Sequence, residues 1–471
     1  MEKTTLFQLY ASLTNKESKQ FARYISSPFF NTNQTVIELN HLLAGHVHGR
    51  KKLKSKEDLY DKLFPGQAYN DLRLRHIFSD LLKLLKSFLA YKVFEESPLE
   101  QQMVLLRSYR QRDLHKQFEK TLNQLENLQN SHPYRDTEYF RTRYIIEAEK
   151  NLYLEEKMQR SIEPNLQKTM DALDTMYIVN KMRYACHMLN YVNVMQADYQ
   201  LFLIREIMDH VRENKYNDIP AIGIYYQILN TFEKPEQEEN YFRLKHLINE
   251  HSDKFPPGEA LIIYNFAMNY CVSRINEGDI KYLSEIFELY KTALERGIIF
   301  KNGQLSPWYY KNITVVGLRL GEYDWVYRFL NQYRHYLPPD YEDNAYTYNL
   351  AKYYFYKEDY EKVIELLREV EYQDIFYSLD SKAMLLKTYY ELDETDAFES
   401  LADSFRVYLR RKKNLSENHR RNYLNLIKFI QKLYRTYPGD KERLQKLIQQ
   451  IHNARHLADK SWVLMKAEEL A

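Results

Sequence analysis

The sequence predicts an all-α protein: an N-terminal helical domain over residues 1–98, then an irregular solenoid of helical hairpins over 99–471. Three observations carry this reading. Apolar residues recur at i, i+3, i+4 and i+7 almost throughout, and alternating runs bounded by glycine, the signature of strands, are absent. Glycine numbers only 11 in 471 residues, and neither G-x-G-x-x-G nor G-x-x-x-x-G-K-[ST] occurs, so nucleotide folds that bring backbone onto phosphate are excluded. Turn-then-helix signatures also return at a spacing typical of helical repeats.

The elements follow in chain order. Met1-Glu2-Lys3-Thr4-Thr5-Leu6 places an acid at position 2 and lacks an apolar h-region, so no signal peptide is expected. Thr14 followed by Glu17 forms a capping box for a helix that Pro28 ends. Asn70 is placed to cap a long helix over residues 71–95, with Leu81, Leu82, Leu84, Leu85, Phe88 and Leu89 on its apolar face. The longest apolar stretch, 260–272, is broken by Asn265 and Asn269 and is too short to span a bilayer. Gly317 and Gly321 form a GxxxG that carries Arg319 in no apolar surround, which is not a membrane dimer motif. Cys186 and Cys271 are the only cysteines, too few for a disulfide framework or a cysteine-based zinc site. The expected location is the cytoplasm.

The repeat shows best around 349–367, NLAKYYFYKEDYEKVIELL, where one helical run reaches Lys357-Glu358-Asp359 and a second starts at Tyr360. Gly278-Asp279-Ile280, Gly321-Glu322-Tyr323 and Asp393-Glu394-Thr395 occupy the same frame, at intervals of 43, 37 and 35 residues. Eight residues before each turn stand Tyr270, Ile313, Leu350 and Leu385; nine after it stand Phe287, Leu330, Leu367 and Ala402. The clearest repeats span 258–410.

Leu350, Ala351, Tyr354, Tyr360 and Leu367, with Pro338 one repeat earlier, resemble the tetratricopeptide repeat (TPR) family in its leucine, small, aromatic, aromatic, large-apolar and proline positions. The family's small residue on the second helix is replaced by Leu283, Val326, Val363 and Phe398, and its other small position varies as Cys271, Thr314, Ala351 and Leu386. Bulk at these sites predicts TPR-like packing of irregular geometry. As a whole the chain resembles uncharacterised bacterial TPR-like helical proteins, which implies no activity. The resemblance also implies that Asn269, Asn312 and Asn349, each nine residues before a turn, face a concave groove. Of the family's carboxylate-clamp positions Lys311 fits, whereas Val315, Asp380 and Met384 depart from the pattern.

Lys+Arg 67 against Asp+Glu 65 gives a net charge of +2, so affinity for a polyanion would need a local patch. Two basic stretches stand out. Arg50-Lys51-Lys52-Leu53-Lys54-Ser55-Lys56 reads as a solvated loop. Arg410-Arg411-Lys412-Lys413, followed after a Ser416 cap by Arg420-Arg421, puts arginines in the first turn of a helix, where the backbone end is already positive. That corner calls for an anion: a phosphate, an acidic peptide or a carboxylate of the same chain.

Signals for catalysis are absent. His452 and His456 have the i, i+4 spacing of a metal-binding helix, yet Asn453 holds the place of the general base and no third ligand is evident. His46-Val47-His48, with His41 one or two turns earlier, has residues able to catch a metal, but a polar loop ending at Gly49 explains them as well. No metal or other cofactor is expected. The 43 tyrosines suit core and groove packing, or a groove that recognises peptide. The leading expectation is therefore a non-catalytic scaffold. It would bind a protein or peptide partner along a solvated face lined by Asn269, Asn312, Asn349, Lys352 and Lys387, the lysines favouring acidic segments. The alternative is nucleic-acid binding through Arg410, Arg411, Lys412, Lys413, Arg420 and Arg421.

Overall fold

The structure is a computed structural model that describes residues 4–47, 55–157, 165–195, 199–214, 216, 218–368, 375–412, 415–437 and 439–471, the side chains of 192–195 and 376 apart. The stretch 50–54, His48 and Lys413 lie outside these residues. Among them the chain forms 23 α-helices, and it divides into two compact units.

Unit 1 covers residues 1–133 and 137–177. It holds α1 (Thr5–Ala11), α2 (Asn15–Ile25), α3 (Gln34–Val47), α4 (Lys56–Leu63), α5 (Asp71–Glu95), α6 (Pro98–Arg110), α7 (His115–Ser131), α8 (Thr137–Glu156) and the start of α9 (Asn165–Met195). The local signals act as read. The Thr14 hydroxyl accepts from the Glu17 N–H while the Glu17 carboxylate accepts from the Thr14 N–H at 2.7 Å. The Asn70 side chain accepts from the Arg73 N–H and starts a helix over the expected 71–95. Leu81, Leu85 and Phe88 of α5 are buried in a core shared with Phe21, Leu39 and Leu59.

Unit 2 covers 134–136 and 178–471. After the rest of α9 come α10 (Ile204–Glu213), α11 (Pro220–Glu233), α12 (Glu238–His251), α13 (Pro257–Asn276), α14 (Tyr282–Glu295), α15 (Pro307–Arg319), α16 (Tyr323–Tyr333), α17 (Glu342–Tyr356), α18 (Tyr360–Arg368), α19 (Ile375–Glu391), α20 (Thr395–Arg411), α21 (Glu417–Tyr434), α22 (Lys441–Asn453) and α23 (Lys460–Glu469). Consecutive helices pair as α11·α12, α13·α14, α15·α16, α17·α18 and α19·α20; α11 also packs against α13, α14 against α15, and α15, α17, α19, α21 and α23 pack each against the next. No described helix is long and apolar enough to cross a membrane.

The repeat frame has a backbone cause. Gly278, Gly321, Glu358 and Asp393 all take a left-handed φ, and each ends its helix in the same pair of bonds. The N–H after each of them donates to a carbonyl five residues back: Asp279 to Arg274, Glu322 to Gly317, Asp359 to Tyr354 and Glu394 to Tyr389. That is a Schellman closure repeated four times in register, which reverses the chain and launches the next helix. The flanking positions Cys271, Thr314, Ala351 and Leu386, and Leu283, Val326, Val363 and Phe398, are all buried.

One short hairpin departs from the all-helical expectation. β1 (Phe300–Lys301) pairs antiparallel with β2 (Gln304–Leu305). Asn302 and Gly303 between them both have positive φ, as the tightest hairpin turn requires.

Among the described residues, seven of the twelve largest fully buried side chains are tyrosines, Tyr310 and Tyr348 included. Tyrosine is thus core material here, and several of the hydroxyls find a partner inside: Tyr310 donates to the Leu330 carbonyl at 2.7 Å and Tyr10 to the Asn40 side chain at 2.6 Å.

Candidate functional site

The chemistry of unit 2 gathers where α17, α19 and α23 meet. Three lysines come from successive hairpins: Lys311 on α15, Lys352 on α17 and Lys387 on α19. Lys311 pairs with Asp380 and lies within 5.5 Å of the ring centres of Trp308, Tyr348 and Tyr377. Asp380 also accepts from the Tyr423 hydroxyl at 2.5 Å. Lys387, buried, pairs with Asp459, the residue that precedes α23 with a left-handed φ. Burial alone would raise the Asp459 carboxyl, but Lys387, Lys352 and Lys311 overrule it and hold it at about 2.

Lys352 is the exception. Its ammonium makes no ion pair among the described residues, and its one hydrogen bond, to the Tyr348 hydroxyl, is long at 3.5 Å. Burial lowers it to about 8; Asp459 and Asp380 pull it up, and Lys387 and Lys311 push it further down. Three ammonium groups against two carboxylates leave the cluster one positive charge in surplus.

Lys352, Lys387, Asp380 and Asp459 line a cavity of about 390 Å³. Phe355, Trp462, Met384 and Met465 supply apolar wall, and Glu391 with Lys466 stands at its other end, paired at 2.9 Å. Burial raises the Glu391 carboxyl in spite of Lys466. An open cavity with apolar walls and an ammonium that has no ion pair among the described residues is equipped to hold an anionic group.

The asparagines part company. Asn269 donates to the Asn190 side chain at 2.9 Å. Asn312 is exposed and bonds Tyr290. Asn349 is fully buried, its amide turned back on the Ala345 carbonyl at 2.7 Å, so the expected solvated face does not extend to it. None of the three lines the cavity. Of the groove set, only Lys352 and Lys387 come together there. The carboxylates of the cluster, Asp380 and Asp459, escaped the sequence reading: Asp380 registered only as a departure from a clamp, and nothing local marks Asp459.

The basic corner resolves in a way the sequence left open. Arg420 donates to the carbonyls of Leu409 at 3.1 Å and Lys412 at 3.0 Å, and to Glu417 at 2.9 Å. Its guanidinium therefore closes the end of α20, which accounts for an arginine in the first turn of α21. Arg421 also faces Glu417, at 3.4 Å; Arg410, Arg411 and Lys412 are exposed.

The histidine pair is corrected too. α22 ends at Asn453 and Ala454 is extended, so His452 and His456 do not share a helical face. Among the described residues, no group of three His, Cys, Asp or Glu side chains is placed to hold a metal ion. Compared with family models, curated proteins and solved structures, the chain matches none.

Proposed function

We propose that the chain is a non-catalytic adaptor, a TPR-like solenoid acting in the cytoplasm, that holds a segment of a partner protein in the α17–α19–α23 cavity. The TPR-like reading is supported by the four in-register turns and by α15, α17, α19, α21 and α23, which pack each on the next. The observation that carries the functional reading is Lys352. Beside two lysines that each have a carboxylate, it offers an ammonium with none among the described residues, facing an open cavity. An acidic side chain of the partner completes the set. Charge-assisted hydrogen bonds of this kind are stronger than neutral ones, and the aromatic wall adds contact area. Nucleic-acid binding has less support, because Arg420 at the basic corner is committed to the chain's own carbonyls and to Glu417.

Peptide-display selection on the purified chain tests this. Enriched sequences are expected to carry Asp or Glu, and to bind Lys352→Met about tenfold more weakly or worse. Selection that enriches nothing, or peptides that bind the variant as well as the parent, would overturn the reading.

A further inference from the structure

We infer that the cavity reads two opposite charges at a set separation, an inference that rests on the peptide-binding reading above. The cationic cluster around Lys352 is only one end of it. At the other end three helices finish together: Tyr356, Glu391 and Glu469, the last residues of α17, α19 and α23, all line the same cavity. Helix C-termini present carbonyls without intrahelical donors and carry partial negative charge. Three carboxylates join them there, Glu358, Glu391 and Glu469, against one ammonium. That ammonium, Lys466, is shared between Glu391 at 2.9 Å and Glu469 at 2.8 Å. The rim so holds two negative charges in surplus while the floor holds one positive.

A ligand that carries only acids satisfies the floor and is repelled by the rim. One that carries an acid and a base satisfies both, with the methylene stem of the base laid along Phe355, Trp462 and Met465. The separation follows from helix geometry. Lys387 and Glu391 on α19, like Lys352 and Tyr356 on α17, lie four residues apart, about 6 Å along the axis. In an extended peptide, side chains two positions apart point the same way and stand about 6.5 Å apart. The partner segment is therefore of the form acid–x–base: Asp or Glu on Lys352, with Lys or Arg two positions away among Glu358, Glu391 and Glu469.

Short peptides with blocked termini and an Ala/Ser background, carrying Glu-x-Lys, Glu-x-Ala, Glu-x-Glu or Ala-x-Lys, are titrated calorimetrically into the full chain. Glu-x-Lys is expected to bind about threefold to fivefold tighter than Glu-x-Ala, and Glu-x-Glu more weakly than either. In the variant Glu358→Gln/Glu469→Gln, which changes two exposed side chains, the ratio of Glu-x-Lys to Glu-x-Ala affinity should fall toward one. If Glu-x-Glu binds as tightly as Glu-x-Lys, or the ratio persists in the rim variant, the two-charge inference fails while the acidic anchor stands. If no Glu peptide binds and Lys352→Met alters nothing, both fail.

Discussion

Replacing Lys352 by methionine should make the protein more stable, and the gain should vanish in alkali. The folded environment lowers this lysine from its ordinary 10.5 to about 8, burial being the main cause. Holding it protonated at pH 7 thus disfavours the folded state by about 3 kcal/mol at most. The side chain is only half-buried, so screening trims the figure, and about 1–3 kcal/mol is expected for a methionine that keeps the stem and drops the charge. The pH dependence has a definite sign. Between pH 8 and 10.5 the unfolded chain keeps a proton on this lysine that the folded chain has released, so the parent's stability rises with pH across that window. The variant lacks this rise, and the gap between the two closes there. Urea melts of both proteins at pH 7 and pH 10 measure it. A variant less stable than the parent at pH 7, or a gap equal at the two pH values, would refute the argument. A stabilised variant that no longer binds is the pattern expected where a binding site is kept at the expense of stability.

Leu367, buried in α18, should lose about 2–5 kcal/mol on change to alanine in urea denaturation; a loss under about 0.5 kcal/mol would mean that its burial does little for the repeat. Gly317→Ala gains about 0.5–1 kcal/mol of helix preference, but the new Cβ would stand 2.5 Å from Val326 Cγ2 and 3.2 Å from Phe287 Cε2. Overpacking of about 1–3 kcal/mol should win, lowering Tm, and Val326→Ala in the same chain should recover part of the loss. Arg420→Ala should cost about 1.5–3 kcal/mol, and Arg420→Lys should not restore it, because a point charge cannot serve several carbonyls and a carboxylate at once; thermal melts of the two variants decide this.

What the sequence determined by itself was whatever depends on neighbours within a few residues. The Thr14–Glu17 capping box, the Asn70 cap and the helix that follows over 71–95 were legible because a cap involves side chain and backbone three positions apart. The hairpin frame was legible for the same reason: each turn is closed by bonds spanning five residues, and only the chain direction matters to them. Tertiary structure alone decided the exposure of residues that share a register. Asn312 and Asn349 hold the same place before their turns, yet one is exposed and the other fully buried, because exposure is set by what neighbouring elements cover and not by position in the repeat. It also decided the charge partners. Lys352 and Lys387 could be named from register, but Asp459 reaches Lys387 across 72 residues, brought there by the packing of α23 rather than by any local signal. That Lys352 has no carboxylate among the described residues, on which the functional reading depends, is a count of charges in three dimensions, and a linear chain holds no such count.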